Sequence, residues 1–224
     1  MKSTTSNQSD STLSNIVDTT VFKIESKTYQ NQSEVELWKL FRSGDEGAFI
    51  AIYQTYIDIL YNFGIQHCKD EELVKDCLQD FFIYLREKRS GLAEATSIKF
   101  YLMKSFRRKL LDYLKKYRKR LAVRLKYQQE NLFKFEISEE TKIINRQFNS
   151  MQVEALNKAI NKLTSKEREA IYLYFFSNFS YKEISEIQGY THISSARRLI
   201  YKALDQLRIT LKLAVFFICY LFFD

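Results

Sequence analysis

An all-helical chain of two small domains is the fold class this sequence predicts, and three observations predict it. The 224 residues contain no proline and only five glycines, so little interrupts a helix. Apolar residues recur every three or four positions over long stretches, the period of a helix with one buried face. Ile184 to Arg208, ISEIQGYTHISSARRLIYKALDQLR, reads as a short helix ending at Gly189, a tight turn, and a longer helix starting near Ser194, which is how a helix-turn-helix is written. The expected architecture is an N-terminal helical bundle and a C-terminal helix-turn-helix bundle joined by a polar, basic linker. At 46% hydrophobic residues the chain can fill two such cores.

Residues 1–33, rich in Ser, Thr, Asn and Gln, lack the apolar core of a signal peptide and read as a disordered arm. The first domain is expected at 34–120. Its first helix, 45–67, carries Phe49, Ile52, Tyr53, Tyr56, Ile57, Leu60 and Phe63 at helical spacing, with Ser43 and Asp45 as candidate caps. A second, Asp70 to Lys88, presents Leu73, Cys77, Leu78, Phe81, Phe82 and Leu85 on one face and stops at Ser90-Gly91. A third, Ser97 to Lys119, turns Phe100, Tyr101, Met103, Phe106, Leu110, Leu111 and Leu114 inward and its basic residues outward. Residues 121–152 are polar with weaker periodicity and form the linker. The second domain, 153–212, holds helices at about 153–163, 165–176, 181–188 and 194–212. Thr164 or Ser165 begins one of these and Ser180 another, each followed by a glutamate at capping-box spacing. Leu213 to Phe223, within a tail at 213–224, is an unbroken apolar run of eleven. A bilayer-crossing helix needs about twenty residues, so burial against the last domain or a partner is the first expectation and membrane contact the second.

Charge is unevenly placed. The chain is +8 at pH 7, but Lys99–Lys126 alone holds twelve bases against Asp112, or +11, leaving −3 elsewhere. Glu34–Ser97 is acidic by five charges. A basic stripe on an otherwise acidic protein is an electrostatic footprint for a polyanion. Three cysteines (Cys68, Cys77, Cys219) and two histidines (His67, His192) fit no zinc spacing. Reduced thiols in a cytoplasmic protein are expected. Neither a metal, a cofactor nor a catalytic constellation is expected: the chain lacks a glycine-rich phosphate loop and a suggestive Cys/His pair.

On the final helix, Ser194 and Ser195 lie where hydroxyls and helix-start amides meet phosphates. Arg197, Arg198 and Lys202 suit guanine edges or phosphates. Leu163–Arg208, with its L-T-x-x-E-R-E start, S-Y-K-E-I-S-E-I middle and A-L-D-Q-L-R end, resembles region 4 of the extracytoplasmic-function (ECF) sigma factors, small members of the sigma-70 superfamily. The front half agrees. Gly44-Asp45-Glu46-Gly47-Ala48-Phe49 with Tyr53 and Tyr56 is similar to the family's opening G-D-x-x-A-F-x-x-L-Y-x-x-Y. Lys75 to Phe82 resembles its D-x-x-Q-D/E-x-F segment, and Tyr101 through Leu114 its helix ending in D-Y-L. Tyr101 stands where a tryptophan is usual, and Arg108 where an asparagine is common.

The resemblance implies a subunit that binds core RNA polymerase and directs it to promoters. Asp76, Gln79, Asp80 and Ile83, at i, i+3, i+4 and i+7, would meet the clamp helices of the polymerase's largest subunit. The second domain would meet the flap of the second-largest subunit. Lys104, Arg107, Arg108, Lys109, Tyr113 and Lys116 would hold and open the −10 element. Phe100, Tyr101, Phe106, Tyr113 and Tyr117 offer stacking faces there, although several must also build the core. Ser194, Ser195, Arg197, Arg198 and Lys202 would hold the −35 duplex. Promoter DNA and an anti-sigma factor, membrane-bound for many relatives, complete the implied partners. Two other readings stay open: a free-standing helix-turn-helix regulator, and a membrane-associated interaction protein acting through the apolar tail.

Overall fold

The computed structural model describes Tyr29, residues 32–124 and residues 150–222, with side chains described as far as 119 and from 154 to 211. Most of the expected arm and linker, and the side chains of the apolar tail, lie outside the described residues. Those described form eight α-helices and contain no strand: α1 (Glu34–Ser43), α2 (Glu46–His67), α3 (Glu71–Lys88), α4 (Ile98–Arg124), α5 (Ser150–Asn161), α6 (Ser165–Ile171), α7 (Tyr181–Gln188) and α8 (Ile193–Phe222). Packing divides them into two compact units. The first comprises the described residues up to Leu60 with Leu78–Leu102, and the second Tyr61–Cys77 with those from Met103 onward.

In the first unit, α1 is a helix that periodicity alone does not announce. Ser33 accepts from the Glu36 amide at 3.3 Å, the Glu36 carboxylate accepts from the Ser33 amide at 3.2 Å, and Gly44 ends the helix at φ 106°, a conformation that costs a glycine little. Trp38 and Phe41 are buried on its inner face. The Trp38 indole N–H donates to the Ala93 carbonyl at 2.9 Å, and its ring lies 4.7 Å from that of Tyr101. Glu34 accepts from the Tyr56 hydroxyl at 2.7 Å and from the Ile98 amide at 2.8 Å, so one carboxylate ties α1 to α2 and to the start of α4. Asp45 caps α2 by accepting from the Ala48 amide at 2.8 Å. Ser43, the other candidate, instead donates to the Leu40 carbonyl of its own helix at 2.8 Å. Tyr29 donates to Asp45 at 2.8 Å and sits against Gly47, where a Cβ would come within 2.6 Å of its oxygen. Tyr53 is 40% exposed rather than inward.

In the second unit, Phe63 of α2, Val74 and Cys77 of α3, and Met103, Phe106, Leu110 and Leu114 of α4 are buried. Gly64 admits the Val74 side chain to what would be 2.5 Å from a Cβ. Beyond 150 the core is Ala159, Ile160, Leu163, Ala170, Ile171, Leu173, Ile184 and Ile187, closed by α8, which packs on α5, α6 and α7. The expected helix at 165–176 is two elements. After Ile171 the chain widens into a π turn over Tyr172–Phe176, with the Ser177 amide donating to the Tyr172 carbonyl, and Asn178 at φ 56° stops it. The wider turn buries Leu173 while Tyr172 and Phe176 stack outside it, ring centroids 5.9 Å apart.

Candidate nucleic-acid interface

The helix-turn-helix is built by local hydrogen bonds that its sequence dictates. Thr164 and Glu167 form a capping box at the start of α6, and Ser180 and Glu183 form another at the start of α7. Gly189, at φ 77°, ends α7, and its amide and that of Tyr190 close the turn onto the last carbonyls. The L-T-x-x-E-R-E run thereby acquires an explanation residue by residue. Arg168 reaches back to the carbonyls of Asn161 and Leu163 at 3.1 and 2.7 Å, joining the end of α5 to α6. Burial raises the Glu167 carboxyl, but the Thr164 amide and hydroxyl and the Lys202 ammonium outweigh it and hold its pKa below the ordinary value.

Recognition helix α8 begins at Ile193, one residue before the position expected from the sequence. Ala196, Ile200, Ala203 and Leu207 are buried at i, i+4, i+7 and i+11, the stripe that fixes the helix on its neighbours. Ser194, Arg197, Arg198 and Lys202 are exposed on the other side, and Ser195 is half-buried. Lys202 lies 3.0 Å from the Glu167 carboxylate. Arg197 stands over the ring of Tyr181, 5.4 Å from its centroid. Tyr181 stacks on Tyr174 at 5.1 Å and meets Tyr201 at 6.4 Å. Hydrogen bonding to Tyr174, desolvation and hydrogen bonding to Tyr201 push its hydroxyl up to about 12. Periodicity gives no sign of this tyrosine shelf. The pairing of Tyr181 at the first turn of one helix with Arg197 in the next shows only when the turn is folded.

On α3, Asp76, Gln79, Asp80 and Ile83 are all exposed, and Ile83 is 48% so. The other face, with Leu73, Val74, Cys77, Leu78, Phe81, Phe82 and Leu85, is buried. On α4, Lys104, Arg108 and Lys116 are exposed, and Lys109 and Tyr113 are half-buried. Phe106 is wholly buried and offers no face to a base; it belongs to the core. Arg107 does not project outward as the sequence predicts. Its Nε donates to Glu169 Oε1 at 2.5 Å and its Nη2 to Oε2 at 2.9 Å, a two-pronged pair that matches guanidinium to carboxylate. Lys104 pairs with Glu186 of α7 at 2.8 Å.

A helix-turn-helix with an exposed Arg/Lys/Ser face, in a chain whose described residues are helical or in turns, defines a DNA-binding protein. Residues 153–207 match the family model for sigma-70 region 4. The chain is 24% identical over 157 residues to the ECF RNA polymerase sigma factor SigM of Bacillus subtilis (strain 168), covering 70% of this chain and 91% of that one. The fold is that of the sigma factor RpoE solved with the anti-sigma factor NepR from Bartonella quintana (TM-score 0.52, 21% identity, 71% of this chain and 94% of that one). It is also that of CnrH solved with the cytosolic domain of CnrY (TM-score 0.55, 17% identity, 81% and 98%). Residues 153–207 are thus a sigma-70 region 4, and the chain as a whole is similar to sigma factors of the ECF type.

Proposed function

We propose that the chain is a sigma factor of the ECF type and that it divides its work along the chain as its motifs are ordered. The segment 34–120 engages core polymerase through Asp76, Gln79, Asp80 and Ile83 and the −10 element through α4. The segment 153–212 holds the −35 duplex through Ser194, Ser195, Arg197, Arg198 and Lys202 and meets the polymerase flap. The observation that carries the second assignment is α8, buried on one stripe and presenting arginines and serines on the opposite one, the arrangement that enters a major groove by its N-terminal turns. The first rests on a continuous exposed acid-polar stripe on α3 suited to basic partner residues. No side chain is assigned a catalytic role; recognition is the chain's contribution and the polymerase supplies the chemistry. It acts in the cytoplasm, and an anti-sigma protein holds it there until released. The solved relatives bound to NepR and CnrY support that partner.

The test is a pull-down with purified core RNA polymerase followed by transcription of a genomic fragment library with and without the chain. New discrete start sites are expected. Arg197→Ala with Arg198→Ala should weaken −35 duplex binding by about 1–3 kcal/mol for each base that an arginine reads, while leaving polymerase binding intact. Equal weakening of both would mean that the two arginines serve the fold rather than the groove.

A further inference from the structure

Among the described residues Glu169 is the most deeply buried charge of the second unit after Glu167, with 3% of its surface exposed. Oε1 takes Arg107 Nε at 2.5 Å and lies 3.4 Å from His67 Nε2. Oε2 takes Arg107 Nη2 at 2.9 Å and Gln188 Nε2 at 3.2 Å. One carboxylate thus joins the end of α2, the middle of α4, α6 and the end of α7. A second pair lies beside it, Lys104 of α4 with Glu186 of α7 at 2.8 Å. Both cations stand on the stripe assigned above to the −10 element, and both carboxylates come from the C-terminal bundle that holds the helix-turn-helix.

A carboxylate on a guanidinium occupies the donors that a phosphate oxygen would use, in the same planar, two-pronged geometry. Arg107 cannot serve Glu169 and a DNA backbone together. We infer that Glu169 and Glu186 act as a built-in stand-in for DNA phosphate, so that this chain in its free form holds Arg107 and Lys104 out of reach of promoter DNA until the two pairs open. The inference rests on the assignment of α4 to the −10 element. Burial gives the arrangement its weight. Once one partner of a buried ion pair is withdrawn, the other charge is left in low dielectric, so the arrangement is held or released as a whole. Lys104–Glu186 lies near the surface and adds little by itself, but it lies beside the buried pair and neutralises a second cation of the stripe.

Nitrogen-15 NMR of the full chain, titrated with single-stranded and duplex −10 oligonucleotides, tests this. The free chain should show a slowly exchanging Arg107 Nε–H resonance that disappears as DNA binds; DNA that binds while leaving the resonance in place overturns the inference. Glu169→Gln with Glu186→Gln should bind the oligonucleotide about tenfold more tightly than the natural chain, a coupling of ordinary size. The dependence of log affinity on log salt should steepen by about two, one for each cation freed. The charge-matched control is Glu154→Gln with Asp205→Asn, whose carboxylates pair with Lys158 and Arg208 on the surface. A control that binds as tightly as the double variant overturns the inference, because added charge alone would then account for the gain. Glu186→Gln alone leaves the buried pair in place and should give a smaller gain in the same direction; no gain from a chain that circular dichroism finds folded also counts against it. Failure to support transcription with core polymerase would overturn the functional assignment instead, while the fate of the Arg107 resonance on DNA binding would still report on the buried pair.

Discussion

Glu169 shows how a single side chain responds to opposed forces. Burial alone would raise its pKa, but the nearby His67 ring and the two-pronged Arg107 pair prevail and bring it down to about 2, against an ordinary 4.5. Because the folded value lies below the unfolded one, the stability it confers is fully present above about pH 4.5 and is lost as pH falls toward 2. Unfolding free energy measured against pH should therefore drop across that window in the natural chain and vary less in Glu169→Gln; parallel profiles would mean that the carboxylate does not feel the pair. Tyr181 acts at the same scale by different means. Its ring supports Arg197, so Tyr181→Phe should preserve −35 duplex affinity, whereas Tyr181→Leu should lower it by about 0.5–1 kcal/mol, the usual worth of an exposed cation–π interaction. Fluorescence anisotropy on a labelled duplex separates the two variants.

Among the elements, what is legible in the sequence and what is not follows from where the forces act. Capping boxes, apolar stripes and the turn glycine are local, so α2, α3, α4, α7 and the start of α8 lie within a residue or so of their expected positions, apart from α4's run on to Arg124. Helix α1 escapes a reading based on apolar period because its inner face is two large aromatics, Trp38 and Phe41; Ser33, Glu36 and Gly44 are the signals that frame it. The π turn at Tyr172–Phe176 escapes for the opposite reason: YLYFF continues the helical pattern, and only packing decides where the chain widens. Charge counting puts Arg107 and Lys104 on a basic stripe and says nothing of the carboxylates opposite them. Close helix approach is the least legible of all. Gly64 lies toward the end of α2, and a methyl there would meet Val74 at 2.5 Å and Phe106 at 3.6 Å. Gly64→Ala should thus destabilise the chain by about 1–3 kcal/mol through overpacking, despite alanine's better helix propensity. A thermal melt that rises instead would show that α2 and α3 have room to part.

For the whole molecule, the two halves of the family resemblance stand on different ground. The C-terminal half is matched by the region 4 model, whereas the polymerase and −10 assignments rest on motif order and on exposed faces. Asp80→Arg discriminates. It reverses charge at the centre of the α3 stripe without touching the buried side, so affinity for core polymerase should fall at least tenfold while the circular dichroism spectrum and −35 duplex binding hold, as expected for opposed charges placed alike across an interface. Undiminished polymerase binding would send the search for the docking face elsewhere. Among the described residues no helix is long and apolar enough to cross a membrane.

Helix α8 does not end where the helix-turn-helix ends. It runs unbroken from Ile193 to Phe222, and thirty residues at 1.5 Å each make a rod about 45 Å long. The arginines that face outward in its first two turns and the backbone of its last three turns share one axis. A grip on the far end is transmitted by the backbone as a twist or tilt at the near end, with no hinge between them to absorb it.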